Sequence, residues 1–152
     1  METLLGGLEG SALAQGLRFS RWSYAIVNTS HVLGIALLVG TIVPLDLRLL
    51  GLWRAVPLEA LARVLFPIAA AGLVIAITAG GLLFIVRARE YAALDLFVFK
   101  LGLIGAGILH AVSFAPGIAA ASRTRQRLVG ATSLAIWFAV LVCGRMLAFV
   151  GD

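Results

Sequence analysis

An all-α integral membrane four-helix bundle, entered through a short N-terminal interfacial amphipathic helix, is the fold this 152-residue sequence predicts. Three observations predict it. Four apolar stretches, roughly 24–45, 64–86, 96–115 and 129–150, take up most of the chain. Each has about the 20 residues that an α-helix needs to cross a bilayer's hydrocarbon core. Hydrophobic residues make up 62% of the sequence, with mean hydropathy +1.09, against about 45–50% in a soluble domain. The cations gather at the ends of the stretches: Arg18, Arg21, Arg48, Arg54, Arg63, Arg87, Arg89, Arg123, Arg125 and Arg127. There they meet lipid phosphates and bias topology.

The elements follow in order. Residues 2–18 carry Leu4, Leu5, Leu8, Leu13 and Leu17 as a loose helical stripe, weakened by Gly6, Gly7, Gly10 and Gly16. This is the expected interfacial helix. Glu2 and Glu9 with no Lys or Arg before Gly16 do not make the basic start of a signal peptide, so the first span would direct insertion. Trp22 and Tyr24 beside Arg18 and Arg21 mark entry into the bilayer. The first span is expected to end near Pro44, Asp46 and Arg48, with Asp46 and Arg48 as headgroup and topology residues. Pro57 starts the next helix as a first-turn residue. Gly72, Ala76 and Gly80 make a small-residue ladder for close helix packing. Lys100 is expected to snorkel from the third span. Pro116 and Gly117 end that span, and Arg123, Arg125 and Arg127 form the next loop. The whole chain, 1–152, is one membrane domain.

A net charge of +5 placed at span ends indicates lipid, not nucleic acid. Cys143 stands alone, which excludes an intramolecular disulfide, a CxxC pair and covalent c-type haem attachment. No Walker loop, GxSxG, HExxH or intramembrane carboxylate pair is present, so no catalytic constellation is expected. Charge counts on the two sides are nearly equal and lean slightly towards both termini outside.

His31 and His110, the only histidines, fall inside the first and third spans. An ionisable side chain within a span is a functional-site candidate by default. Asn28 precedes His31 by about one turn and Gly34 follows it; Gly107 precedes His110. Counted from the same side of the membrane, the two imidazoles lie about 12 and 18 Å deep at 1.5 Å per residue. That pattern is compatible with bis-histidine ligation of one haem b in an electron carrier. His31 and His110 would be its iron ligands, Gly34 and Gly107 would clear the porphyrin faces, and Asn28 would be a hydrogen-bond partner. Arg145 is placed to snorkel, to pair with Asp152 or to meet a propionate. Two other readings stay open: interhelical hydrogen bonding in a non-redox scaffold or accessory subunit, and a proton or metal-ion path. Cu(I) transport is disfavoured by the absence of a Met-rich run.

The stretch HVLGIALLVGTIVPLDLRLLG (His31–Gly51), the Pro-bearing second span and FKLGLIGAGILH (Phe99–His110) resemble a group of small four-helix bacterial inner-membrane proteins of unknown function. The likeness covers roughly residues 20–115. It is also distantly similar to the membrane domains of copper-resistance D proteins and di-haem cytochromes b. The resemblance implies a bacterial cytoplasmic membrane, and two histidines in place of four imply at most one haem per protomer. The chain is expected to work as a homo-oligomer or as a subunit of a larger membrane complex.

Overall fold

The computed structural model describes residues 2–150. All their regular secondary structure is helical: α1 (Glu2–Glu9), α2 (Ala12–Phe19), α3 (Arg21–Leu50), α4 (Leu58–Val86), α5 (Ala88–Ala92), α6 (Asp95–Phe114), a 3-10 turn (Ile118–Ala120) and α7 (Arg123–Val150). Helices α3, α4, α6 and α7 are long and apolar enough to cross a membrane.

The N-terminal segment is two helices where one was expected. Ser11 breaks it: its hydroxyl donates to Leu8 O (2.7 Å) and accepts from Ala14 N–H (3.2 Å), capping α2 in the manner that favours serine at a helix start. Ser20 then caps α3 by accepting from Ser23 N–H. Glu9 ties α1 to the far end of α4–α5, accepting from the Arg89 backbone N–H at 2.9 Å.

The first long helix does not stop near Pro44; α3 runs on to Leu50. Proline takes away one hydrogen bond, to the carbonyl four residues back, and its ring crowds that carbonyl, here Gly40, and in the turn before it Thr41 Oγ1 donates to Leu37 O. Termination comes at Gly51 (φ 113°), where Leu52 N–H donates to Leu47 O. The other three helices also extend beyond the hydropathy-defined limits on at least one side, because their end turns carry polar residues that a hydropathy window excludes.

Helix α3 is central, packing on α4 along one side and on α7 along another, while α6 packs mainly on α7. Small residues set the closest approach. A Cβ at Gly34 would meet Ala76 N at 2.5 Å and Gly72 O at 2.8 Å, and one at Gly72 would meet Leu38 N at 2.7 Å. The Gly72/Ala76/Gly80 ladder is therefore the α3–α4 seam. Helices α4 and α6 meet more loosely, through side chains. Phe84 stacks on Phe97 at one end (5.2 Å between centroids, 3° between planes), and Phe66 and Ala115 wall a shared cavity at the other.

Candidate functional site

Each histidine sits in a different seam. His31, on α3, holds Nδ1 2.8 Å from Ala76 O on α4, and its ring lies where a Cβ on Gly80 would otherwise be. His110, on α6, holds Nε2 3.1 Å from Val129 O on α7, with its ring 4.9 Å from that of Phe114. A carbonyl only accepts, so Nδ1–H of His31 and Nε2–H of His110 are the donors. In the neutral rings this leaves Nε2 of His31 and Nδ1 of His110 as acceptors.

The two rings are not brought together. Val129, which holds His110, is followed by Gly130, and Gly130 packs on the Asp46 backbone carbonyl, 2.9 Å from an ideal Cβ. His110 is therefore level with Asp46, which lies fifteen residues along α3 from His31. That separation is about 22 Å along the axis at 1.5 Å per residue. The expected depths, about one helical turn apart, do not hold because α3 and α6 start at different heights. Two axial nitrogens on one iron must lie within a few ångströms of each other, so His31 and His110 of one chain do not fit a shared haem. Among the described residues no three His, Cys, Asp or Glu side chains gather as a metal site.

The expected neighbours also do other work. Gly34 admits α4, and Gly107 admits Trp137, whose Cζ2 lies 2.9 Å from an ideal Cβ; protein fills both of the spaces assigned to a porphyrin. Asn28 is exposed on α3. Arg145 lies over the Phe149 ring, 4.6 Å from its centroid; Asp152, its expected alternative partner, is outside the described residues. Lys100 is half-buried, with Nζ 3.5 Å from an ideal Cβ at Gly144 on α7.

The polar residues that sequence reasoning undervalued are Asp46 and Arg48. Only 3% of Asp46 and 6% of Arg48 is exposed. Arg48 Nε donates to Val56 O at 2.8 Å, folding the 51–57 loop over the end of α3. Its Nη1 and the Oδ2 of Asp46 are buried without a hydrogen-bond partner. Asp46, His110 and Ser133 supply the polar lining of a cavity of about 60 Å³, closed otherwise by apolar groups including Ile42, Phe66 and Trp137. One signal for this was in the sequence: the charges of PLDLRLLG alternate with leucines, and an α3 that passes Pro44 carries both of them into the bundle. No family model, curated protein or solved structure matches the chain.

Proposed function

We propose that this is a four-span integral membrane bundle of a bacterial cytoplasmic membrane, acting as a non-redox scaffold or accessory subunit whose histidines join helices. The observation that carries this reading is that each imidazole donates across a seam to a backbone carbonyl, His31 to Ala76 and His110 to Val129. Such bonds hold helices together in lipid, where burial alone gives little driving force between them. The separation of the two rings favours this role over bis-histidine haem b. The helix order puts both termini and the α4–α6 turn on one side, and the slight excess of cations at the opposite ends supports placing that side in the periplasm.

The test is the absorption spectrum of the purified protein from a haem-supplemented host, oxidised and then dithionite-reduced. The expected result is protein absorption alone. The His31→Ala, His110→Ala double variant should remain helical but unfold more easily, each lost bond costing about 0.6–2 kcal/mol. A Soret band that shifts on reduction and disappears in either single variant would replace this reading with electron transfer through haem b.

A further inference from the structure

Three arginines meet where α3 ends. Gly51 closes that helix with φ 113°, and the side on which it lacks a Cβ is faced by guanidinium groups. An ideal Cβ there would lie 3.3 Å from Nη2 and 3.6 Å from Nε of Arg54, and 3.9 Å from Nη2 of Arg127. Arg54 comes from the α3–α4 loop and Arg127 from the first turns of α7. Arg54 is fixed over the glycine by its own Nε, which donates to Gly51 O at 3.2 Å. Arg48 stands behind the pair. Its Nε and Nη2 donate to Val56 O and Arg54 O, at 2.8 and 3.4 Å, and its Nη1 is buried without a partner. Arg54 and Arg127 are both exposed, so a ligand reaches them from outside the bundle.

Like charges this close repel one another, and no carboxylate of the described residues pairs with any of the three. The ion pairs present, Arg87 with Glu90 and Arg89 with Glu9, lie at the other end of the bundle. Asp46, two residues from Arg48, turns into the bundle towards Ser133. Glu59, the other described carboxylate at this end, lines a separate pocket with Arg63. Among the described residues both Nη groups of Arg54 and the whole fork of Arg127 stay open to a ligand. A guanidinium fork binds phosphate or carboxylate through two parallel N–H bonds. One fork fills the two oxygens of a carboxylate, whereas a phosphate group has oxygens for two forks at once.

We propose that Arg54 and Arg127 form a binding site for one phosphate group, carried by an anionic lipid headgroup or present as free phosphate. The two exposed forks take its oxygens across Gly51. Arg48, which touches no ligand, holds the loop that carries Arg54 and adds its uncompensated charge from behind. The site is independent of whether the protein serves as an accessory subunit.

The full-length protein in dodecyl maltoside is tested with two probes. Binding of inorganic ³²P-phosphate is measured by equilibrium dialysis in chloride buffer. Retained lipid is counted by native mass spectrometry after exchange into phosphatidylglycerol or into phosphatidylcholine, whose phosphate already has its own choline as partner. One phosphatidylglycerol held in preference to phosphatidylcholine identifies a headgroup. Saturable binding of one inorganic phosphate without that preference identifies free phosphate. If both bind, each should displace the other. In every case Arg54→Gln and Arg127→Gln should each weaken binding at least about tenfold, the effect of losing a charged hydrogen-bond donor. Arg125→Gln removes the same charge from another face of α7 and should leave binding within about twofold, as expected for a screened surface charge. Arg127 does not hold the loop, so its variant tests the site even where Arg54→Gln disturbs the fold. Failure of both probes to bind would overturn the site. So would binding that survives Arg127→Gln, or that falls equally in Arg125→Gln, because diffuse surface charge would then be its cause.

Discussion

Gly34 and Gly40 lie on the same helix and face different surroundings, which makes them a controlled pair. At Gly34 an added methyl meets the backbone of α4 at 2.5 and 2.8 Å. Backbone does not give way as a side-chain tip does, so α3 and α4 must separate and the His31 bond to Ala76 must lengthen. Gly34→Ala should cost about 1–3 kcal/mol, the usual range for overpacking, in an SDS or thermal unfolding series. At Gly40 nothing lies within 4 Å, and Gly40→Ala should be neutral or stabilise by up to about 1 kcal/mol, since alanine is the better helix former. A loss at Gly40 equal to that at Gly34 would remove the close seam as the explanation. The sequence marked both histidines and the small residues beside them, but not what those residues admit. A glycine one turn from a histidine has the same spacing whether it clears a cofactor, a tryptophan or a neighbouring helix, and only the partner element tells them apart.

At the scale of elements, each of the two connections at the end of the bundle where α3 finishes is tied down by one polar side chain. Arg48 fixes the α3–α4 loop. Gln126, the first-turn residue of α7 that is buried, reaches the carbonyls of Ile118, Ala119 and Ala121 at 3.1–3.2 Å. An amide offers two hydrogens, so these three contacts share them and add to the backbone bonds of the 3-10 turn, whose Ile118 lines the Asp46 cavity. Gln126→Leu keeps the size and removes the donors. It should cost about 1–3 kcal/mol, the range for leaving buried acceptors unpaired, and expose residues 116–122 to limited proteolysis. An unchanged cleavage pattern would show that the turn holds without it. The existence and order of the four long helices were legible from hydropathy alone. Their ends were not, because a helix stops at a cap rather than at the edge of an apolar run: Ser11, Ser20 and Gly51 set the boundaries. Passing Pro44 mattered most, since it turned Asp46 and Arg48 from surface residues into interior ones.

For the whole molecule, the uneven covering of the helices bears on assembly. Helix α3 is flanked by α2, α4 and α7, whereas α6 has α7 along one face and buries only Gly107. Its outer side shows Leu101, Leu109 and Val112, which suit lipid, but also Gly102, Gly105 and Ala106. Nothing lies within 4 Å of a Cβ built on either glycine. Gly102 and Ala106 are four apart and share a face, leaving a shallow groove in which a second helix backbone can approach more closely than lipid chains pack. An accessory subunit needs such a contact, and the same geometry serves a second copy of the chain. Gly102→Leu fills the groove without touching α7, His110 or the Asp46 cavity, so the monomer should keep its melting temperature within about 2 °C, as expected for a change at an exposed position. The oligomer seen by cross-linking or photobleaching step counts in nanodiscs should shift towards monomer, while Val112→Leu, on a lipid-facing part of the same helix, should leave it unchanged. An oligomer that persists in Gly102→Leu would move the contact away from α6, and the exposed length of α4 around Val74 and Ile77 would be the next face to fill.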